Sequence, residues 1–156
     1  MDGVVLAAGE GTRMRPLTAD RPKALVTVAG RPLLSHAFDA LLSVGVGRLV
    51  VVVGYRGEQI IDHHGDSYRG TPVEYVEQPD QRGTAHALKQ AMPVVEAPFV
   101  MAHGDNVCRA NLGSVVGRHR ETDAAATLLV ESVSREQAAT TGVVRTAGDG
   151  RVTGLV

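Results

Sequence analysis

The 156-residue sequence contains no tryptophan, two phenylalanines and three tyrosines. Any core built from it must be aliphatic, and an apolar content of 44% is enough to supply one. A single cysteine, Cys108, excludes an internal disulfide and fits a reducing, cytoplasmic compartment. An excess of either charge is also missing: 16 Lys and Arg face 17 Asp and Glu, for a formal net charge of −1. That balance offers no footing for nucleic acid or for an anionic membrane surface. No apolar run approaches the length of a membrane span, and the start, MDGVV, has neither the basic nor the apolar region of a signal peptide.

What the sequence does have is short apolar runs closed by glycine. Val4 to Ala8 ends at Gly9, LVVVV (49–53) ends at Gly54, and FVMA (99–102) ends in His103-Gly104-Asp105. Runs that are apolar on both faces predict central strands of a parallel sheet. Between them, Leu33, Leu34, Ala37, Phe38, Leu41 and Leu42 recur at helical spacing, as do Ala85, Leu88, Ala91 and Met92. Weaker helices are expected over Arg56–His64 and Leu112–Glu121, and further strands over Pro72–Val76 and Ala125–Val130. The alternation predicts an α/β layered sheet, read as one domain over 1–156. In such sheets ligands sit beyond the carboxyl ends of the strands, where the loops 9–12, 78–84 and 104–105 would fall. GVVR (142–145) and RVTGLV (151–156) read as a hairpin whose second strand is still running, so the domain is expected to be truncated at its C-terminal end.

The first of these loops belongs to LAAGEGTRMRPLT (6–18). Glycines after a strand let backbone N–H groups approach an anion without an intervening Cβ. Thr12 adds a hydroxyl and Arg13 a permanently charged fork suited to phosphate oxygens. Ala7 and Ala8 leave room for a flat group at the strand end. A dinucleotide fingerprint is excluded because Met14 stands where a third small residue is needed, and a P-loop because no Lys-Ser or Lys-Thr pair closes the loop.

Together with RPKAL (21–25) and VAGRP (28–32) followed by His36, this stretch resembles the signature of sugar-1-phosphate nucleotidylyltransferases, whose pattern is LAAGxGTRxxPLT, PKxL, VxGxPxxxH. Thr27 stands where that family commonly has proline. QPDQRGTAHA (78–87) resembles the family's base-reading segment and Gly104-Asp105 its metal aspartate. TGVV (141–144) resembles its sugar-binding YGxV stretch, with Thr141 in place of tyrosine. The resemblance extends over essentially the whole chain. It implies a Rossmann-like, mostly parallel sheet of the nucleotide-diphospho-sugar transferase type, flanked by helices. The implied reaction transfers a nucleotidyl group from a nucleoside triphosphate, UTP or dTTP in preference, to a sugar-1-phosphate and releases pyrophosphate.

The roles implied follow from the chemistry. A phosphate monoester, with a second pKa of about 6, is largely a dianion at neutral pH and needs no protein base. The site must therefore position two anions and neutralise their charge. The resemblance assigns the nucleotide to Leu6, Ala7, Ala8, Gly9, Gly11 and Thr12 and its leaving phosphates to Arg13. Lys23 would stand between the α-phosphate and the attacking phosphate, and Asp105 would hold Mg²⁺. Gln78, with Gly83 and Thr84, would meet the base, and Gly142 the sugar phosphate. Family members continue past a strand like VTGLV to sugar-binding and further metal-binding residues, so the chain is expected to carry the nucleotide half of the site.

Rival readings are a non-catalytic nucleotide-binding module of the same fold, or a transferase for another phosphorylated alcohol such as phosphocholine. A homo-oligomer is left open. His63 and His64, adjacent on a helix, are expected to face solvent, His86 to be structural, and Cys108 to be a buried thiol.

Overall fold

In the computed structural model, which describes residues 1–156, the elements follow the expected alternation. β1 (Asp2–Leu6) is followed by the antiparallel pair β2 (Thr27–Val28) and β3 (Arg31–Pro32), then α1 (Leu33–Leu42), β4 (Arg48–Val53) and α2 (Gly57–His64). Next come β5 (Ser67–Tyr68), β6 (Thr71–Glu77), α3 (Thr84–Ala91), β7 (Phe99–His103) and α4 (Leu112–Arg120). α5 (Arg135–Ala138) and the hairpin of β8 (Val144–Thr146) and β9 (Val152–Leu155) complete the chain. Residues 1–116 and 117–156 form two compact units.

The first unit is built on a five-stranded sheet in the order β5-β6-β4-β1-β7. All neighbours are parallel except β5, which runs antiparallel to β6. Because side chains alternate along a strand, the two innermost strands supply two separate cores. Val5, Ala7, Leu49, Val51 and Val53 pack with Leu34, Ala37, Phe38 and Leu41 of α1 and Ile60 of α2 on one face. Val4, Leu6, Ala8, Val50 and Val52 pack with Ala87 and Ala91 of α3 on the other. A strand covered on both faces has no use for polar alternation, which is why β1 and β4 read as unbroken apolar runs.

At the opposite end of the strands from the glycine loop, the sheet is tied by a polar knot. Asp2 is buried and accepts from Arg48 Nη2 at 2.7 Å and from the Glu96 N–H at 3.0 Å. Arg48 also donates to Glu74 at 3.0 Å and to the Val94 carbonyl at 2.7 Å, so one guanidinium links β1, β4, β6 and the approach to β7. The Arg48 hydrogen bond holds the Asp2 carboxyl below its usual range, and Asp2 in turn raises Arg48.

Several expectations are corrected. β1 ends at Leu6, and Ala7 and Ala8 belong to the outgoing loop, although the Ala7 N–H still donates to Val52 O at 2.8 Å. β7 is an edge strand of the sheet rather than a central one, with Met101 37% exposed. Its apolar run did not distinguish a half-covered strand from a fully covered one. The segment 125–130 is not a strand; no ladder partner lies beside it, and Leu128, Leu129 and Val130 are about half exposed. Cys108 is half-buried rather than buried.

His64 also departs from expectation. It packs edge-on against Phe38, with ring centroids 5.1 Å apart, and against Tyr68 and His63, and its Nε2 is sealed from solvent without a partner. Adjacent helix residues diverge at Cβ, but at the last turn of α2 both imidazoles lean together. Burial, and secondarily the charge of His63, lowers the His64 pKa to about 4.

Two outcomes are expected. Asp2→Asn should lower unfolding stability by about 2 kcal/mol, the worth of hydrogen bonds to a charged group, as measured by urea denaturation at neutral pH. For His64, the unfolded imidazole takes up its proton near 6.5 and the folded one only near 4. Stability should therefore be full above pH 6.5 and fall as the pH drops from 6.5 towards 4. That part of the pH profile of the urea midpoint should flatten in His64→Leu.

Candidate active site

The carboxyl ends of β1, β4, β6 and β7 point to one edge of the first unit's sheet, where a cavity of about 650 Å³ opens. Leu6, Ala7, Ala8, Gly9, Gly11, Thr12 and Arg13 line it from the loop after β1, together with Lys23. Gln78, Gly83 and Thr84 close it from the loop between β6 and α3, and Asp105 from the loop after β7. These are all the residues singled out in the first unit. Gly142 belongs to the second unit, in the bend just ahead of the Val143–Val156 backbone pair.

The glycine loop is held by its own sequence. Gly11 has φ 68°, a left-handed conformation that favours glycine, and a Cβ there would meet Lys23 Cβ at 2.9 Å. The loop therefore lies directly on the lysine. Thr18, 1% exposed, donates its hydroxyl to the Gly11 carbonyl at 2.8 Å and anchors the turn from below. The N–H groups of Gly9, Glu10, Gly11 and Thr12 donate to no carbonyl of the chain, which leaves a row of donors free for an anion. Of the two arginines that follow, Arg15 pairs with Glu10 at 2.7 Å, whereas Arg13 lines the cavity and makes no ion pair.

Lys23 opens a short 3-10 turn behind the buried Pro22. Its Nζ reaches Asp105 Oδ2 at 2.6 Å, joining residues 82 positions apart. Asp105 follows Gly104, whose N–H donates to Leu6 O at 2.9 Å and so ties the β7 loop to the end of β1. Asp105 is the one carboxylate lining the cavity, and no group of three or more His, Cys, Asp or Glu is placed to cage a metal ion.

The opposite wall is neutral. Gln78 is 4% exposed, its N–H donates to Val53 O at 2.7 Å, and its side-chain Nε2 meets His86 Nδ1 at 2.8 Å. Gly54 makes this packing feasible: a Cβ there would stand 3.0 Å from Ala8 and 3.2 Å from the Gln78 carbonyl, forcing the first two loops apart. The cavity thus has a cationic, N–H-rich end and an amide end, an arrangement that can take a phosphorylated ligand carrying a flat polar group.

Several lining residues had no role in the sequence reading, among them Met14, Ala24 and Gln81. His103, two residues before Asp105, is exposed at the end of β7 and also lines the cavity. Thr18 was visible as the last letter of its motif, but nothing in a string of residues marks a hydroxyl as folded under a loop. His36, the last letter of the third motif, lies elsewhere: its Nε2 donates to the Val28 carbonyl at 2.9 Å and fastens α1 to the β2–β3 pair.

Comparison with known proteins gives a consistent picture. The family model described as nucleotidyl transferase matches residues 2–156. The UTP–glucose-1-phosphate uridylyltransferase AglF of Haloferax volcanii is 49% identical over 156 residues, which is all of this chain and 64% of that protein. The bifunctional protein GlmU of Thermus thermophilus is 40% identical over 133 residues, covering 82% of this chain and 28% of GlmU. The chain thus spans just under two thirds of the first relative and about a quarter of the second. In fold it is similar to the crystal structure of UDP-glucose pyrophosphorylase complexed with UDP-glucose. That likeness has a TM-score of 0.85 at 21% identity and covers 99% of this chain and 67% of the other. With the family model matched from its second residue to its last, this chain belongs to the nucleotidyl transferase family.

Proposed function

We propose that the chain carries the nucleotide-binding and reacting centre of a sugar-1-phosphate nucleotidylyltransferase. The observation that carries this reading is the convergence of Arg13, Lys23 and Asp105 with the free N–H row of the glycine loop on one cavity. Its further support is the 49% identity to a protein named as a UTP–glucose-1-phosphate uridylyltransferase.

In the proposed reaction an oxygen of the sugar-1-phosphate dianion forms a bond to the α-phosphorus of the triphosphate. The bond from that phosphorus to its bridging oxygen breaks, and pyrophosphate leaves with the electron pair. No proton has to move at the attacking oxygen. The chain's residues act by position and charge. The N–H groups of Gly9, Gly11 and Thr12 hold the triphosphate oxygens, and Arg13 follows the charge that builds on the departing phosphates. Lys23 neutralises the α-phosphate and the incoming phosphate while they close on one another. A triphosphate takes the Lys23 ammonium from Asp105, which frees the carboxylate.

A lone carboxylate among phosphate oxygens and water fits Mg²⁺, which uses one or two carboxylates and keeps several waters, better than it fits ions that need a full protein cage. Bound at Asp105, Mg²⁺ would supply charge neutralisation on the phosphates. Gln78, with the backbone at Gly83 and Thr84, meets the base. Uracil or thymine suits it, because both present an N–H between two carbonyls. Leu6, Ala7 and Ala8 give the nucleoside a flat wall, and Gly142 is assigned to the sugar phosphate. UTP is preferred over dTTP on the strength of the relative's name. The one-cysteine composition is consistent with work in the cytoplasm.

Lys23→Ala tests the reading. Turnover, followed as pyrophosphate release from UTP and glucose-1-phosphate with Mg²⁺, should fall by about 10²–10³-fold, the usual effect of removing one charge-stabilising group. UTP affinity in a direct titration should change by less than about tenfold, because the N–H row and Arg13 remain. Undiminished turnover would refute the role of Lys23, and binding without turnover in the unaltered chain would support a non-catalytic module. Replacing glucose-1-phosphate with phosphocholine separates sugar acceptors from other phosphorylated alcohols.

A further inference from the structure

The amide end of the cavity contains more machinery than a base-reading glutamine needs. Gln78 is almost wholly buried, yet its Oε1 has no donor from the protein, while its Nε2 is taken by His86. His86 stands on the first turn of α3, half-buried, and its other nitrogen, Nε2, meets Gln90 Nε2 at 3.2 Å one turn further on. Two amides thus turn a nitrogen to one imidazole, which in its neutral form can accept from only one of them.

The chemistry of the three groups restricts their settings. A neutral imidazole has one donor and one acceptor nitrogen. With Nδ1 accepting from the Gln78 NH₂ over the shorter of the two distances, the ring proton must be on Nε2, and the less buried Gln90 amide turns over to present its oxygen to it. The Gln78 oxygen is then left facing the cavity. The reverse setting, with an Nδ1 proton donated to the Gln78 oxygen, would turn the Gln78 NH₂ to the ligand instead. A solvent-exposed glutamine rotates between such settings freely, but a buried one takes the setting its neighbour imposes.

We propose that His86 is a positioning residue that fixes the Gln78 amide with its oxygen towards the ligand, and thereby sets which bases the cavity accepts. An acceptor at that point pairs with the ring N–H of uracil, thymine or guanine. It opposes the bare ring nitrogen of cytosine or adenine, lone pair against lone pair. Because uracil and cytosine differ little in shape, such a fixed acceptor is a way to separate UTP from CTP. The inference rests on the reading of Gln78 as the base-contacting residue.

The test is direct titration of UTP and CTP into the full chain and into His86→Ala, His86→Asn and Gln78→Ala, with the melting temperature of each. The unaltered chain should bind UTP at least about tenfold more tightly than CTP, one oriented hydrogen bond's worth. His86→Ala should bring the ratio close to one. His86→Asn, whose Oδ1 falls near the former Nδ1, should restore most of it. The proposal is overturned if His86→Ala keeps the original ratio, or if both nucleotides weaken equally with a lowered melting temperature, as a purely structural role predicts. A preference for CTP would also overturn it by showing the reverse setting. If instead the unaltered chain binds no nucleotide, or Gln78→Ala keeps the ratio, the base-reading role of Gln78 itself fails and the inference falls with it.

Discussion

The hydrogen bonds that fasten β1 between β4 and β7 set the height at which the loops of the cavity leave the sheet. Asp2 is level with Arg48 and Phe99 at one end, and Leu6 is level with Val52 and His103 at the other. Two further backbone bonds, Ala7 N–H to Val52 O and Gly104 N–H to Leu6 O, carry the ladder one step past the strands. A slip of one residue would move Val4 and Leu6 from the α3 face to the α1 face and exchange the two cores. It would also break the Asp2–Arg48 pair, which joins the residues at the first rung. Register, core and cavity are therefore one constraint expressed at three places along five residues.

Charge in the cavity is arranged with similar economy. Arg13 and Arg15 are two positions apart, yet Glu10 pairs with Arg15 and leaves Arg13 unpaired. Lys23 and Asp105 neutralise one another across 2.6 Å, so the unliganded cavity does not hold an isolated ammonium beside an isolated carboxylate. Both side chains are only partly buried, which keeps the pair in a screened setting where an ion pair is weak. A weak pair suits a site whose ligand must separate it: a polyphosphate brings several charged oxygens to Lys23, against the single carboxylate it displaces.

Much of this was legible in the sequence because the local rules and the global fold agree. Glycine after an apolar run marked the strand ends, and helical spacing placed α1 and α3 within a residue or two. Since ligand-facing loops in such a sheet leave from one edge, the sequence alone places the three loops together. What was missed is of a different kind. The burial of Gln78, the hydroxyl of Thr18 under Gly11 and the inward lean of His64 depend on packing between segments, and residue type alone favours the surface for glutamine, threonine and histidine. The run at 99–102 misled because an apolar string records what a strand can tolerate on its faces, not how many neighbours it has. The string at 125–130 misled in the same way.

Gln78 shows why such buried polar groups repay a physical reading. Closing an amide away from water is unfavourable unless its polar atoms are matched; here the nitrogen meets His86, while the oxygen has no protein donor and is not sealed from solvent. A sequence that needed Gln78 only for packing could place an aliphatic side chain there. An amide there, with a histidine behind it and a second amide behind the histidine, leaves an oxygen that a ligand in the cavity can meet. On the proposed reading the cationic end of the cavity is indifferent to which nucleoside carries the triphosphate, since all triphosphates offer it the same oxygens. The burden of choosing the base falls on the amide end, and there the only group with a free, directional hydrogen-bonding atom on a buried side chain is the one His86 holds in place.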